Sequence, residues 1–367
     1  MISTRIIHVI TTIERGGAEK QLLILVREQI KTGLDVEVYY LKGNPDLKQQ
    51  FENHGVKVNQ ILLNKSFIHQ IFIFRSELRK NLGLVHAHLP KSELLAAFTC
   101  NRRNFIFTRH NSEAFWPGAP KLISNFLSKA IAKRAASGVC ISNAVKNFLL
   151  TRGELDKQFP LTTVYYGFDE DVSLNQAGLN EIKNGLKVTS QALKIGAIGR
   201  LVEQKEYPTL LKALKKILDD GLNAELFVVG EGVLKKDLVN LTQKLDLSQK
   251  VHWLGKTGFI KEYLSILDIF VLPSKYEGFG LVLLEAMQAN IPIIAANNSS
   301  IPEVLGSDHE GLFSTFNVEQ LSSLITKVIV DKAFADQLAL RNQERLIRFK
   351  PDIMAKQILG VYQEARF

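Results

Sequence analysis

Short runs of apolar, β-branched residues alternate with segments whose apolar positions recur every three or four residues, along nearly the whole chain. Ile6 to Ile10, Val36 to Leu41, Val56 to Leu63, Leu84 to Leu89, Phe105 to Thr108, Val139 to Ser142 and Thr163 to Tyr166 read as strands. Between them, one helix runs to Lys31 and is stopped by Gly33, and another spans Ser66 to Leu82. Asn143 is placed to cap the helix after the sixth run. Asp169 to Ser190 is polar with little periodicity and reads as a linker plus an exposed segment. The alternation then restarts. Leu193 to Ile198, Leu226 to Val229, Val251 to Leu254, Ile269 to Leu272, Ile293 to Ala296 and Leu312-Phe313 are strands. Helices follow at Pro208 to Leu218 and from about Val318, Lys332 and Pro351.

This alternation predicts parallel sheets joined by crossover helices. At 367 residues the chain suits two domains, each Rossmann-like, with a cleft between them. Ligands in such sheets bind beyond the carboxyl ends of the strands. Two amphipathic segments invite a second reading. Lys121 to Ser137 carries Leu122, Ile123, Phe126, Leu127, Ala130 and Ile131 at helical spacing, with Lys121, Lys129, Lys133 and Arg134 beside them. Lys65 to Lys80 mixes Phe67, Ile68, Ile71, Phe72 and Phe74 with Arg75, Arg79 and Lys80. Each fits a helix lying on a membrane surface, and each fits a crossover helix packed on its sheet, which is the plainer reading.

Composition, with 46% hydrophobic and 23% charged residues, is that of a globular protein. The two cysteines, Cys100 and Cys140, lie in or beside apolar stretches and read as buried thiols of a reduced compartment. Glu14-Arg15-Gly16-Gly17 follows the first apolar run where a signal peptide would need small residues, so a cytoplasmic protein is expected. No charge-free apolar run approaches the ~18 residues of a membrane span. Charge changes the picture more. Residues 1–170 hold 23 Lys and Arg against 14 Asp and Glu, so the whole net charge of +9 sits in that half. A basic half suggests an acidic partner, such as an anionic membrane or a phosphorylated acceptor, and equally suits a plain solubilising excess of charge. No nucleic-acid motif accompanies it, and nucleic acid is not expected.

The candidate chemistry centres on Ser274 to Met287, where Glu277 and Glu285 stand eight positions apart. Gly278 and Gly280 let a ligand approach the backbone, and a helix opening at Leu281 directs free N–H groups back at the loop. A ligand with hydroxyls at both ends and an anionic middle, such as a nucleotide sugar, would fit. So would the bland alternative, a strand-loop-helix junction with one surface and one salt-bridged glutamate. Arg200 and Lys205 follow the strand Leu193 to Ile198 and suit a diphosphate, as a fork and a point charge. They could equally be solvated surface cations. Gly16-Gly17 is a turn after the first strand, without the third glycine of a dinucleotide site or the lysine of a P-loop. His110 ends a strand. His86 and His88 share one strand face and, without an acidic or cysteine partner at metal spacing, read as structural. Asp169-Glu170-Asp171 has the form of an Asp-x-Asp metal site but falls in the linker, and is rejected as one.

In order along the chain, Gly16-Gly17, His110, Gly199-Arg200-Leu201 with Lys205, Gly230-Glu231-Gly232, Glu277-x7-Glu285 and Ile301-Pro302-Glu303 resemble the motifs of the retaining glycosyltransferases of family 4. The departures are Glu206 and Ser299-Ser300, where that family commonly has glycine, and Tyr166 and Phe168 in the segment Tyr166-Gly167-Phe168-Asp169. The resemblance implies the GT-B fold, with an acceptor domain at 1–167, a nucleotide-sugar domain at 168–349 and a last helix, about 350–367, returning to the first. It implies a metal-independent hexosyltransferase that retains anomeric configuration and needs no cofactor. Glu285 would hold the ribose and Glu277 the donor sugar. Backbone N–H groups at Phe279, Gly280 and Leu281 would sit on the sugar and phosphate, and Arg200 and Lys205 would take the diphosphate. Gly16-Gly17 would face the donor phosphates and the acceptor across the cleft, and His110, lining the sugar-binding cleft, would join Glu277, Arg200 and Lys205 as the catalytic set. The expected donor is a UDP-sugar, and the expected acceptor a lipid-linked or lipopolysaccharide-type glycan at the inner membrane face. A soluble enzyme on a small cytosolic acceptor, a non-enzymatic nucleotide-sugar-binding module and an epimerase of the same fold are the rivals.

Overall fold

The computed structural model describes residues 5–102, 104–168, 173–185 and 192–365. The chain divides into two compact units, Met1–Asp169 with Phe349–Phe367, and Glu170–Arg348.

The first unit is a seven-stranded parallel sheet of β1 (Arg5–Ile10), β2 (Asp35–Tyr40), β3 (Lys57–Asn59), β4 (Leu84–His88), β5 (Phe105–Arg109), β6 (Ser137–Cys140) and β7 (Leu161–Thr163). Their order is β3-β2-β1-β4-β5-β6-β7. Both faces are covered, which is why the strands read as continuous apolar runs. Helix Gly17–Lys31 and the last helix, Pro351–Glu364, share a core in which Ile24 and Leu25 meet Met354, Ile358, Val361 and Tyr362. Cys100 and Cys140 are free and buried, and burial pushes both thiols up to about 12.

The second unit is a six-stranded parallel sheet of β8 (Leu193–Ile198), β9 (Ala224–Val229), β10 (Val251–Gly255), β11 (Ile269–Leu272), β12 (Ile293–Ala296) and β13 (Leu312–Phe313). Its order is β10-β9-β8-β11-β12-β13. Each sheet therefore reverses its winding once, between β1 and β4 in the first and between β8 and β11 in the second. A doubly wound sheet opens a ligand crevice at such a point.

Several local expectations need correction. The third strand is three residues long, because the chain turns at Leu62, whose carbonyl accepts from the Gln70 side chain. The seventh ends at Thr163, and Tyr166 turns inward to His110. Ser142, not Asn143, caps helix Asn143–Arg152, accepting from the Val145 N–H at 3.0 Å. The supposed linker contains a helix, Gln176–Gly185, capped by Asn175, whose Oδ1 accepts from the Gly178 N–H. Its apolar periodicity is weak because it packs on Phe259 through Gly178, where any Cβ would overlap the ring.

Helix Lys121–Ala132 departs furthest. Its inward stripe is Ser124, Ser128 and Ile131, while Leu122, Ile123 and Phe126 face outward. The segment is a crossover helix packed on its sheet, as the plainer reading has it, but its inward stripe mixes hydroxyls with Ile131. The buried Arg109 of β5 selects the polar stripe: Ser128 Oγ accepts from its Nη2 at 3.0 Å, and Ser124 hydrogen-bonds the Glu154 that Arg109 also meets. No helix among the described residues is long and apolar enough to cross a membrane.

Candidate active site

The loops after β8 and β11 meet at the second unit's reversal point. Pro273 ends β11, and the chain reaches Glu277 through fully buried Ser274. Glu277 is itself buried, 6% exposed. Its Oε1 accepts from Ser274 Oγ at 2.7 Å and from Lys205 Nζ at 2.6 Å. Its backbone N–H donates to Ser299 Oγ at 2.8 Å, and its carbonyl accepts from Ser300 Oγ at 3.0 Å. The carboxylate is thus fixed by one lysine and one hydroxyl, and its peptide groups by the loop after β12.

Gly280 follows at φ 84, a left-handed conformation costly to other residues, and serves as N-cap of helix Leu281–Gln288. No side chain caps that end. Phe279 is buried beneath it, and Glu285 lies part-buried in the helix's second turn. The first-turn N–H groups and the helix dipole favour negative charge there.

Arg200 is exposed just past β8, with its Nη2 on Gln204 Oε1 at 3.2 Å. Gln204 in turn donates to the Tyr276 carbonyl at 2.9 Å. Gly199-Arg200-Leu201 lies against the Gly-Glu-Gly turn: the Leu201 N–H donates to Glu231 O at 2.9 Å, and a Cβ at Gly232 would fall 2.3 Å from Leu201 O. That close approach accounts for Gly232. Glu206 adopts φ 48, so it keeps a backbone that glycine adopts most easily. Its carboxylate is occupied by Lys275 at 3.3 Å and Thr209 Oγ1 at 3.2 Å. Ser299, the other departure from glycine, also sits in the left-handed region, at φ 46.

In the first unit, Gly16 precedes helix Gly17–Lys31 at the carboxyl end of β1. The Glu19 carboxylate folds back over it and accepts from Thr12 Oγ1 at 2.5 Å. His110, at the end of β5, is one end of a buried relay. The register puts His8 beside His86 across β1 and β4, and His88 beside Thr108 across β4 and β5. Gln29 anchors the relay. Its Oε1 can only accept, so His8 Nε2 donates to it at 2.8 Å. His8 Nδ1 then accepts from His88 Nε2 (3.0 Å), His88 Nδ1 from His110 Nε2 (3.1 Å), and His110 Nδ1 from the Tyr166 hydroxyl (2.5 Å). Gln29 Nε2 donates to Tyr362 OH at 3.0 Å, which donates to His86 Nδ1 at 2.8 Å, and His86 Nε2 donates to Thr108 Oγ1 at 2.7 Å. One amide orientation makes all four rings neutral Nε2–H tautomers. Burial agrees, lowering His8 to about 4 and His110 to about 3, and holding His86 and His88 well below the ordinary histidine range.

The ligand atoms of His8, His86 and His88 lie within 4.8 Å of one another, the one such group of three among the described residues. All six nitrogens serve the relay, so the rings would have to abandon these bonds to hold a metal. Asp169-Glu170-Asp171 lies outside the described residues.

The structure thus brings Arg200, Lys205, Glu277, Gly278, Phe279, Gly280, Leu281 and Glu285 into one loop cluster of the second unit. It places Gly16, Gly17 and His110 at the carboxyl edge of the first sheet. Sequence reasoning missed Ser274 as a ligand of Glu277 and the serine pair as its backbone clamp. It also missed the first unit's fully buried ionic cluster, where Arg109 meets Glu93 at 2.8 Å and Glu154 at 3.5 Å. The histidine face was readable from the alternation of His86 and His88. Gln29, Tyr166 and Tyr362 carried no signal.

Two family models match the chain. "Glycosyl transferases group 1" covers residues 180–345, and "Glycosyltransferase Family 4" covers residues 15–172. A capsular polysaccharide biosynthesis glycosyltransferase of Staphylococcus aureus, CapM, is 24% identical over 99% of this chain and 97% of its own length. The UDP-Gal:alpha-D-GlcNAc-diphosphoundecaprenol alpha-1,3-galactosyltransferase of Escherichia coli is 25% identical over 74% of this chain and 73% of its own. The crystal structure of Anabaena Alr3699/HepE in complex with UDP superposes with a TM-score of 0.81, at 19% identity, over 98% of this chain and 99% of that one.

Proposed function

Since the chain belongs to the group 1, family 4 glycosyltransferases and has their GT-B fold of two Rossmann-like domains, we propose that it transfers a hexose from a UDP-sugar to a lipid-linked glycan with retention of configuration. The observation that carries this reading is the convergence of Glu277, Lys205 and Arg200 beside the uncapped helix start at Leu281, at the sheet's reversal point. A UDP-sugar matches it end to end. Glu285 holds the ribose hydroxyls. The diphosphate lies over the N–H groups of Phe279 to Leu281, with Arg200 and Lys205 beside it. Glu277 accepts from the sugar hydroxyls. Charge developing on the leaving diphosphate is met by the two cations, which do here what a metal does in other transferases. The acceptor oxygen attacks from the leaving group's own face and passes its proton to the departing phosphate, so no side-chain base is required. Gly16 and Gly17 serve the donor phosphates as well as the acceptor, and His110 serves the transferred sugar.

The acceptor class rests on the basic first half and on relatives named for capsule synthesis and for a diphosphoundecaprenol-linked acceptor. On this reading the enzyme works at the inner face of the cytoplasmic membrane.

Thermal unfolding with UDP, GDP, ADP and CDP tests the donor site. A nucleotide at 100 times its Kd adds about 2.7 kcal/mol of stability. UDP is expected to raise the melting temperature of the wild type and not of Glu285→Ala. No shift with any nucleotide, or the same shift in both proteins, would overturn the reading. Anomeric analysis of the product tests retention, and turnover that survives EDTA tests metal independence.

A further inference from the structure

We propose that the first unit carries a membrane-docking face made by helices Phe67–Lys80 and Lys121–Ala132, and that its partner is an anionic phospholipid surface. The proposal rests on the lipid-linked acceptor reading and gives it a physical means of reaching the bilayer. Each helix leaves large apolar side chains on its outward face as well as burying some. The first buries Gln70 and Phe74 and exposes Ile68 and Phe72, at 66% and 70%. The second buries Ser124, Ser128 and Ile131 and exposes Leu122 and Phe126, at 83% and 71%. In each, a buried polar residue has a structural task that fixes the rotation. Gln70 donates to the Leu41 and Leu62 carbonyls, and Ser128 accepts from Arg109.

The outward stripes follow one rule. Ile68, Phe72, Arg75 and Arg79 stand at i, i+4, i+7 and i+11, and so do Leu122, Phe126, Lys129 and Lys133. Two large apolar side chains are followed on the same face by two cations, a pattern that inserts into the acyl boundary and meets lipid phosphates. Glu77 is paired by Lys80 at 3.1 Å, and Lys129 is itself paired with Asp156 at 2.8 Å, so Arg75, Arg79 and Lys133 are the cations left to meet lipid phosphates. The helices lie on one face of the sheet, because right-handed crossovers carry the connections after β3, β4 and β5 to the same side. Pro90–Thr99 packs between them and adds exposed Phe98, whose ring meets Phe67 edge-on at 6.2 Å. Both helices enter from the sheet's carboxyl edge, Gln70 through Leu41 beyond β2 and Ser124 through the Glu154 that Arg109 meets at the end of β5. Gly16 and His110 are on that edge. A second copy of the chain is the competing occupant, and the matched cations argue against it: a two-fold contact would bring like charges together.

Full-length protein is mixed with vesicles of phosphatidylcholine alone or with half phosphatidylglycerol, and sedimented. Wild type is expected on the anionic vesicles, released by 0.5 M salt, and absent from the neutral ones. Phe72→Ser with Phe126→Ser, both at exposed positions, is expected to weaken binding at least tenfold with an unchanged melting temperature. No binding by wild type, or equal binding by the variant, would overturn the proposal. So would a dimer in sedimentation velocity without lipid that the variant dissolves. UDP stabilisation measured on the same samples separates the two readings: lost vesicle binding with an intact UDP shift fells the docking face and leaves the donor site standing.

Discussion

Lys205 Nζ and Glu277 Oε1 lie 2.6 Å apart and join loops separated by 72 residues. The cation assigned to the diphosphate and the carboxylate assigned to the sugar therefore share one charge-assisted bond. On the proposed reading a bound donor would divide Lys205 between phosphate and carboxylate, so the residue that meets the leaving group would also orient the group that reads the sugar.

Lys205→Ala is expected to lower turnover roughly 10²- to 10³-fold, as loss of one preorganised charge stabiliser does. It also strands the buried Glu277 carboxylate, at about 3 kcal/mol of stability. Adding Glu277→Gln removes the stranded charge, so the double variant is expected to be more stable than Lys205→Ala and no more active. Urea unfolding and steady-state kinetics on the two proteins check both halves. A double variant less stable than Lys205→Ala would refute the coupling.

Glu206 and Ser299 hold left-handed backbone where glycine would be unstrained. Glu206→Ala keeps the strain and loses the Lys275 contact, whereas Glu206→Gly loses the contact and the strain together. Glycine is expected to exceed alanine in stability there by about 1 kcal/mol, read as a difference in melting temperature. At Ser299 glycine also gives up the hydrogen bond to the Glu277 N–H, so Ser299→Gly is expected to impair turnover more than stability.

Acid is expected to unfold the first unit early. Burial depresses all four relay histidines, so the native state binds fewer protons there than the unfolded chain. Their contribution is complete above the ordinary histidine pKa of ~6.5. It is lost as pH falls toward about 4 for His8 and about 3 for His110, at roughly 1.4 kcal/mol per pH unit for each ring that titrates. The chain has two tryptophans, Trp116 in the first unit and Trp253 in the second. Trp253→Phe makes fluorescence a reporter of the first unit alone, and its urea midpoint is expected to fall between pH 6.5 and 5. A flat midpoint over that range would count against neutral rings.

Gln29 sets the relay's direction. Gln29→Leu leaves the His8 Nε2–H without its acceptor and Tyr362 without its donor, at roughly 2–4 kcal/mol. Gln29→Glu instead puts a carboxylate beside His8 and favours its protonated form. That variant is expected to raise the His8 pKa and flatten the acid limb, which a pH series of the same urea midpoints detects.

Much of this molecule was legible from one-dimensional pattern. Parallel sheets bury both strand faces, so the strands announce themselves as apolar runs whatever surrounds them. The glycines and charges of the loops after β8 and β11 keep fixed spacing because a strand end and a helix start fix the distance between them. Glu277, Glu285, Arg200 and Lys205 were therefore picked out as candidates by position. Helix Gln176–Gly185 was not, since it docks through a glycine that leaves no apolar stripe.

The sequence by itself determined two parallel α/β domains, the order of the motifs and the imbalance of charge, because each depends on residue type and local spacing. Tertiary structure alone decided which groups face one another. Lys205 meets Glu277 and Gln29 meets Tyr362 across 72 and 333 residues, and no local pattern records such pairs. It also decided which stripe of helix Lys121–Ala132 turns inward. The amphipathic pattern offered two faces, and a buried arginine that needed a hydroxyl partner selected the polar one.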